Sequence, residues 1–287
     1  MKDTIKSYYR LTKPGIIYSN VLAVAAGFLL ASRGNIDIST LVGSLVGIGL
    51  IIASACVINN CIDRKIDVKM DRTKSRALVT GKISVMNAIR FAVVLGILGF
   101  DILFFTTNLL TVLLGVIAVV FYVVIYGIAK RKSVHGTLVG SISGALPPVA
   151  GYTAVTGQID IAAVALALIW IAWQMPHFFA IAMYRKRDYA RAGIPVLPVV
   201  RGMLSAKRQI VFYVVCFIVA SSLMTFFGYT GKIYLIVIGL TSLGWLALGI
   251  KGFRTQNDSK WARKMFFYSL GVMLILCLML SIGGVIA

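Results

Sequence analysis

The segment Asn59–Asp71 holds the polar residues of this chain that are best suited to chemistry. Its sequence is NNCIDRKIDVKMD, and Asn59, Asp63, Asp67 and Asp71 recur at intervals of four. On a helix, residues four apart lie on nearly the same face, about 6 Å apart along the axis. Like charges at that spacing repel each other by roughly 0.2–0.5 kcal/mol per pair, so three carboxylates on one face indicate a bound cation. Carboxylate oxygens at a water-accessible site suit Mg²⁺ whose coordination is completed by substrate phosphates.

The other charged residues fit this interpretation. All nine acidic residues of the chain are Asp, and there is no Glu. Basic residues follow the segment at once, at Arg72, Lys74, Arg76 and Lys82. Acids that hold a metal beside bases that hold an anion are the chemistry of a metal–phosphate complex. The alternative is a solvated loop of mixed charge at a membrane surface.

The apolar content predicts a polytopic membrane protein. The 287 residues are 59% hydrophobic, and the mean hydropathy is +0.92, far above that of a soluble domain. We predict an all-α fold of nine transmembrane helices around a central cavity, in one intramembrane domain over residues 1–287. The apolar runs lie at about 14–32, 40–60, 87–106, 109–129, 134–155, 161–183, 209–229, 233–250 and 266–286. The break at Thr106–Asn108 must then be a very tight turn.

The distribution of Lys and Arg predicts the orientation of these spans. With the N-terminus inside, inside segments contain 27 of the 29 basic residues, and only Arg33 and Lys232 lie outside. The net charge of +20 is therefore first a topology signal, and we expect no nucleic-acid partner. We expect an outside C-terminus, with the Asn59–Asp71 segment at the cytoplasmic surface.

Several other classes of protein are disfavoured. The four cysteines include no CxxC pair, which argues against a disulfide framework and against a zinc site. There is no P-loop, HExxH, GxSxG or nucleotide-binding glycine fingerprint. The first apolar run follows a basic N-terminus without a convincing cleavage site, so we interpret it as a retained span.

The end of span 4 supplies further candidates for binding a phosphate. Its sequence YGIAKRKS places Tyr126 and Lys130 on one helical face, with Arg131 next to them. The alternative is an interfacial Tyr with Lys side chains that extend to the headgroups. Span 5 then has three glycines at intervals of four, and the pair Pro147–Pro148 predicts a broken or kinked helix beside a cavity or a purely structural kink.

Span 6 and the loop after it contain the remaining candidates. Gln174 and His177 lie in the inside half of an apolar run, where polar residues usually face the protein interior or a cavity. His177 could ligate an iron, polarise a substrate or hydrogen-bond a neighbouring helix, and His135 is a weaker candidate at the interface. Asp188 lies in the loop, within reach of Arg185, before an apolar Pro-containing stretch that is either a lid over the site or an ordinary connector.

The residues of the first motif resemble those of a known family. Asn59, Asn60, Asp63 and Asp67 match the pattern N-D/N-x-x-D-x-x-x-D of the UbiA superfamily of intramembrane prenyltransferases, and Asp71 extends the match.

The resemblance extends over nearly the whole chain. YGIAK is similar to the Y-x-x-x-K element of the superfamily. Three segments look like the haem-modifying branch, the protoheme IX farnesyltransferases of bacterial terminal-oxidase assembly: NxxDRxxDxxMDRTxxR, HGTLxGSxSGAxPPVxGY and WQMPHFFAIAMYRKRDYxxAGIPVLPV.

This resemblance implies an activity and its residues. It implies transfer of a farnesyl group from farnesyl diphosphate to a vinyl group of haem B, with water addition, in a bacterial inner membrane; haem B is then a substrate, and Mg²⁺ is the cofactor. The implied metal ligands are Asn59, Asn60, Asp63, Asp67 and Asp71. The implied diphosphate contacts are Lys74, Arg76, Tyr126, Lys130, Arg131 and Arg185. The implied catalytic residues are Asp63, Asp67, Lys130 and Asp188, and the implied haem contacts are His177, Gln174 and His135. The implied downstream partners are a haem A synthase or terminal-oxidase assembly.

The alternatives differ in what they require of the sequence. Prenyltransfer to another aromatic or tetrapyrrole acceptor predicts the second D-x-x-x-D motif that the wider superfamily has after span 6, and this chain has Gln174, His177, Tyr184 and Asp188 there instead. A transporter would explain broken spans, but no inverted repeat is evident. A protein that only binds haem would explain His177 but not three aspartates.

Overall fold

The structure, a computed structural model, describes residues 2–286. Within these residues the chain forms helices and no strand, and nine helices are long and apolar enough to cross a membrane, which confirms the predicted all-α class. Spans 1 to 9 are Pro14–Ser32, Ile38–Asp67, Val85–Thr106, Leu109–Lys132, Gly136–Thr156, Ile161–Tyr184, Gly202–Phe226, Lys232–Arg254 and Asp258–Val285. The N-terminal helix Lys2–Leu11 precedes span 1, and two short helices, Lys186–Arg191 and Leu197–Val200, follow span 6.

Polar side chains explain where spans 2, 4 and 6 begin. Asp37, Asn108 and Asp160 accept hydrogen bonds from backbone N–H groups in the first turns of spans 2, 4 and 6. These caps satisfy amides that would otherwise be unpaired at a helix start. Asn108 comes two residues after the last residue of span 3, so the very tight turn predicted at Thr106–Asn108 is confirmed.

Spans 2, 7 and 9 extend furthest past their apolar runs, all at the end of the bundle that we call the basic end. The basic end contains the N-terminal helix and the segments between spans 2 and 3, 4 and 5, 6 and 7, and 8 and 9. Span 2 continues to Asp67, span 7 begins at Gly202 and span 9 begins at Asp258. Hydropathy marks the boundary of the hydrocarbon region, whereas a helix can continue beyond that boundary into the aqueous region.

Spans 5 and 6 form the centre of the bundle, and spans 3 and 4 are the least buried. Spans 1 and 5 touch through their backbones, because a Cβ atom on Gly27 would collide with the carbonyl of Pro148. Span 5 stays helical through Pro147–Pro148, so the expectation of a broken helix is wrong.

The irregular turn lies in span 4 instead. A π-helical turn at Phe121–Ile125 interrupts the α-helix. Such turns insert one extra residue and are frequent at functional sites. Here the turn is followed directly by Tyr126, whose ring stacks on that of Tyr122 with centroids 5.8 Å apart.

Two loops at the basic end contact each other. The loop after span 2 packs Met70, Leu78 and Ile83 into the protein, although it has little regular structure. Arg191, in the loop after span 6, donates a hydrogen bond from Nη1 to Oδ2 of Asp71 over 2.8 Å. The loops after spans 2 and 6, each of which contains predicted site residues, are therefore joined by an ion pair.

Candidate active site

A cavity of about 640 Å³ opens among spans 1, 2, 4, 5, 6 and 9 and the two loops. This is the usual size of a small-molecule site. The predicted residues that line it are Asn59, Asp63, Asp67, Arg76, Tyr126, Lys130, Gln174, His177 and Arg185. The lining does not include Asn60, Asp71, Lys74, Arg131, His135 or Asp188.

Asp63 is held by the end of span 4. Lys130 forms an ion pair with Oδ2 of Asp63, and Arg131 donates from Nη2 to Oδ1 over 3.0 Å. Arg131 also donates to the carbonyl of Ile62. The aspartate motif of span 2 and the Tyr–Lys element of span 4 therefore form one site, as the resemblance implies.

Asp67 is held by its own loop. Nη1 of Arg76 donates to Oδ2 of Asp67 over 2.6 Å and to Oδ1 of Asn60 over 3.0 Å. The hydroxyl of Thr73 donates to the backbone carbonyl of Asp67. Asn60 in turn donates to the carbonyl of Leu11 over 2.8 Å, so its side chain joins the loop to the N-terminal helix and does not face the cavity.

Lys13 lines the cavity, although it was predicted only as one of the basic residues that orient the spans. Its Nζ donates to Oδ1 of Asn59 over 2.9 Å, and its backbone has the left-handed φ of 54°, which is uncommon outside glycine. Burial lowers the pKa of this ammonium to about 8. Nδ2 of Asn59 is enclosed and has no hydrogen-bond partner among residues 2–286. A buried cation and an unpaired amide thus point to an anionic or polar ligand at this position.

The residues at this end of the cavity fit a hard divalent cation. Asp63 and Asp67 supply carboxylate oxygens one helical turn apart, and each keeps lone pairs beyond those used by Lys130, Arg131 and Arg76. In the described part of the chain, no three His, Cys, Asp or Glu side chains form a metal-binding group. Mg²⁺ is typically held by one or two carboxylates together with substrate phosphates and water, which is the donor set present here.

The prediction that four residues share one helical face is wrong for Asp71. Span 2 ends at Asp67, so the fourfold register does not continue. Asp71 instead lies on the surface, paired with Lys74 and Arg191 at 2.8 Å each. Both cations hold the pKa of its carboxyl below the usual value. Lys74 is exposed in the same surface pair and does not line the cavity.

A second group of four cavity residues forms what we call the aromatic arm: Trp173, His177, Tyr184 and Phe266. The His177 ring lies between Trp173 and Phe266, with ring centroids 4.8 and 4.9 Å away. Nδ1 of His177 is 2.8 Å from the hydroxyl of Ser269. That hydroxyl also lies 2.6 Å from the carbonyl of Phe266, to which it donates.

These contacts determine which nitrogen of His177 is available. Ser269 has one hydroxyl proton, and it is used on the carbonyl of Phe266. Nδ1 of His177 must then donate to the Ser269 oxygen, which leaves the lone pair on Nε2. Nε2 makes no hydrogen bond to any described residue and is not among the enclosed unpaired atoms, so it is open to the cavity.

The other predicted haem contacts are placed differently. Gln174 lines the cavity, but its amide donates to the carbonyls of Ser141 and Trp170 over 3.1 and 3.0 Å, which joins spans 5 and 6. His135 is exposed at the start of span 5 and lies outside the cavity lining. Asp188 is buried behind the lining, 3.8 Å from Nη1 of Arg185. His177 is therefore the one predicted histidine that faces the cavity.

Comparison with known proteins supplies the family. The model of the UbiA prenyltransferase family matches residues 20–271. The chain belongs to the UbiA prenyltransferase family. It is 48% identical over 282 residues to a protein of Pseudomonas putida (strain W619) named protoheme IX farnesyltransferase 2, covering 98% of this chain and 96% of the relative. A Shewanella sp. (strain W3-18-1) protein named protoheme IX farnesyltransferase 1 is 49% identical over 285 residues, covering 99% of this chain and 90% of the relative.

Solved structures of UbiA-family proteins share the fold. A structure described for a digeranylgeranylglyceryl phosphate synthase superposes with a TM-score of 0.81 at 22% identity, covering 99% of both chains. A UbiA homologue from Archaeoglobus fulgidus, bound to GPP and Mg²⁺, superposes with a TM-score of 0.70 at 18% identity, covering 93% of this chain and 99% of that one. These structures show the fold, whereas the family model and the named relatives identify the chain as a multi-pass membrane prenyltransferase, which disfavours the transporter alternative.

Lys13 lines the cavity, and Ser269 and Arg263 contact the lining residues His177 and Tyr184. None of these three was predicted as a site residue. Their partners are far away in the sequence, so no spacing rule reveals them. Lys13 alone had a local signal, because the sequence Lys-Pro-Gly places a charge directly before an apolar span, at a point where the helix has to start.

Proposed function

We propose that this chain transfers the farnesyl group of farnesyl diphosphate to a vinyl group of haem B, with addition of water, and releases haem O and diphosphate. The observation that carries the proposal is one cavity with two chemically different sides. Asp63 and Asp67 with their cations form a side suited to a metal–diphosphate, and the aromatic arm offers Nε2 of His177 to a flat aromatic metal complex. The names of relatives nearly half identical to this chain agree with both substrates.

The reaction starts with cleavage of the bond between C1 of the farnesyl group and the diphosphate oxygen. The bonding electrons leave with diphosphate, so negative charge grows there. Lys13, Arg76 and Lys130 face that charge and stabilise it. Mg²⁺, held by Asp63 and Asp67, neutralises further charge on the diphosphate when bound.

The allylic cation is then attacked by the vinyl group of haem B. A new carbon–carbon bond forms at C1, and the positive charge moves to the vinyl carbon next to the porphyrin. Water adds to that carbon and loses a proton, which gives the hydroxyl group of haem O. Apolar residues of the cavity, among them Ile51, Leu114 and Val119, keep water from the farnesyl cation until the first bond has formed.

Three residues, Asn59, Asn60 and Asp188, take roles different from those first expected. Asn59 and Asn60 have their side-chain oxygens on Lys13 and Arg76, so we assign them to positioning cations and not to metal coordination. His177 contacts the haem iron through Nε2, whereas Asp188 acts from behind the lining by neutralising part of the charge of Arg185.

The orientation and the downstream partner are part of the same proposal. The basic end faces the cytoplasm of a bacterial cell, and the C-terminus lies outside. Because the product is a modified haem, its consumer is a haem A synthase or a terminal oxidase under assembly. A reporter enzyme that is active only outside the cytoplasm, fused after Ala287, should be active and should be silent when inserted after Lys132.

The direct test uses purified protein in detergent with haem B, farnesyl diphosphate and Mg²⁺. Mass spectrometry should find a haem heavier by a farnesyl group and a hydroxyl group, and EDTA should abolish this product. At a Mg²⁺ concentration that just saturates the wild type, the variants Asp63→Asn and Asp67→Asn should lose most of the product and still bind haem. Farnesyl transfer to an added hydroxybenzoate, with haem B unchanged, would overturn the acceptor and leave the family assignment intact.

A further inference from the structure

Two arginines meet on one aromatic ring at the mouth of the aromatic arm. The guanidinium carbon of Arg185, at the end of span 6, lies 5.5 Å from the ring centroid of Tyr184. The guanidinium carbon of Arg263, from span 9, lies 5.7 Å from the same centroid. A guanidinium group within about 6 Å of a ring centroid is attracted to the face of the ring, and this contact uses none of its N–H donors. The pair thus presents two forks of donors.

These donors are not satisfied by the protein. Nε of Arg185 is enclosed and has no hydrogen-bond partner within residues 2–286. The carboxylate nearest to Arg185 is Asp188, and the distance of 3.8 Å is too long for a hydrogen bond. One carboxylate facing two guanidinium groups leaves a net positive charge. An enclosed, unpaired N–H of a charged group points to a ligand that accepts hydrogen bonds and carries negative charge.

The location of the pair distinguishes between the anions that the proposed reaction brings to the cavity. The cations of the diphosphate side, Lys130, Arg131 and Arg76, form ion pairs with Asp63 or Asp67, and Arg185 forms none with either. Tyr184 instead packs against Phe266, with centroids 6.0 Å apart, and Phe266 packs against His177. The two arginines therefore belong to the aromatic arm.

We infer that Arg185 and Arg263 bind the two propionate carboxylates of the porphyrin and so fix which edge of the ring enters the cavity. The inference rests on the proposed function. Haem B has iron at its centre, two carboxylates on one edge and vinyl groups away from that edge. The aromatic arm has the open Nε2 of His177 at its centre and the two guanidinium groups at its mouth. Along span 6, Arg185 follows His177 by about two helical turns, or about 12 Å. This replaces the diphosphate role expected of Arg185.

The orientation explains how the enzyme selects a vinyl edge. With the carboxylates at the mouth, the opposite edge of the ring is turned into the cavity, where the farnesyl cation forms. A porphyrin without free carboxylates would lose this alignment. Arg185 and Arg263 are thus specificity-determining residues for an amphiphilic dicarboxylate, and they take no part in the bond-making step.

The test pairs variants with a modified substrate. Arg185→Gln and Arg263→Gln are compared with Arg187→Gln and Lys264→Gln, which remove neighbouring exposed charges that do not lie over the Tyr184 ring. Each protein is titrated spectroscopically with haem B and with its dimethyl ester, and KM is measured separately for farnesyl diphosphate. Arg185→Lys and Arg263→Lys keep the positive charge and lose the planar, bidentate donors of the guanidinium group.

Each arginine-to-glutamine change should weaken haem B binding by about tenfold or more, because a charge-assisted pair is lost. Neither change should weaken binding of the dimethyl ester by more than about twofold, and both should leave KM for farnesyl diphosphate unchanged. Arg185→Lys and Arg263→Lys should bind haem B less tightly than the wild type and more tightly than the Gln variants. The two control variants should bind it as the wild type does.

Three results would overturn the inference. A raised KM for farnesyl diphosphate with normal haem B binding would assign the arginines to diphosphate. Equal losses for haem B and its ester would show a structural role. Wild-type protein that binds the ester as tightly as haem B would show that the carboxylates are not recognised. If the wild type instead prenylates another acceptor and ignores haem B, the proposed function itself fails, and that outcome is visible before any variant is made.

Discussion

Replacing Lys13 with Met should make the substrate-free protein more stable and the enzyme slower. The side chain keeps its length and loses its charge, so the packing volume hardly changes. Burial depresses the pKa of Lys13 from 10.5 to about 8, which corresponds to about 3 kcal/mol against the charged form in the folded state. Loss of the hydrogen bond from Lys13 to Asn59 offsets about 1 kcal/mol of the stability that the variant gains by losing the charge. We therefore expect a net gain of about 2 kcal/mol at pH 7.

The lowered pKa of Lys13 also predicts how the stability difference between Lys13→Met and the wild type changes with pH. The folded-state pKa of Lys13 lies below the unfolded value, so the unfavourable term is fully present below about pH 8. The unfolded chain binds the proton more tightly between about pH 8 and 10.5, and the wild type gains stability relative to the variant as pH rises through that window. The advantage of Lys13→Met should therefore shrink towards alkaline pH.

The activity should change in the opposite direction. A hydrogen bond from a charged donor to an anion contributes about 1.5–3 kcal/mol, so turnover of farnesyl diphosphate should fall about 10- to 100-fold. Unfolding midpoints in one detergent, at pH 7 and pH 10, and release of diphosphate are the two measurements. Lys6→Met, an exposed change in the N-terminal helix, is the control. A Lys13→Met protein that is less stable at pH 7 and fully active would refute the reasoning.

Substitutions at three other positions test different parts of the cavity separately. Asp67→Asn should raise the Mg²⁺ concentration needed for half-maximal diphosphate release at least tenfold, since a carboxylate ligand is lost; an unchanged Mg²⁺ dependence would exclude Asp67 as a ligand. Gly140→Val should lower stability by about 1–3 kcal/mol and raise KM for farnesyl diphosphate, because its Cβ atom would lie 2.8 Å from the Tyr126 ring. Gly239→Val, with nothing within 4 Å of the added Cβ, is the matched control in an unfolding assay. Ser269→Ala should shift the absorption spectrum of bound haem B and Ser269→Thr should restore it, whereas identical spectra would mean that the serine does not set the protonation of His177.

Much of the fold was predictable because the membrane imposes a simple rule on the sequence. Every span must be apolar over roughly 20 residues, so nine runs gave nine helices. The rule says nothing about helix outside the hydrocarbon. Span 2 ends at Asp67 although Val68, Lys69 and Met70 include no helix breaker, and that ending places Asp71 on the surface.

The candidate site was predictable only where its residues are close in sequence. Asp63 and Asp67 are one helical turn apart, and Tyr126 and Lys130 are another such pair, so spacing alone placed each pair on one face. The tie between Lys13 and Asn59 crosses 46 residues, and that between His177 and Ser269 crosses 92. Such contacts follow from how helices pack, which a single sequence does not encode in any local pattern.

The ion pair between Asp71 and Arg191 has a consequence for how firmly the two loops hold each other. Both side chains are about half exposed, and such pairs contribute about 0–1 kcal/mol. At about 1 kcal/mol the pair would be broken for about one-sixth of the time, since that energy corresponds to a ratio near five. Salt in the medium screens exposed charges and weakens the pair further. The loop after span 2 therefore depends for its position beside the cavity on its buried side chains Met70, Leu78 and Ile83 more than on this ion pair.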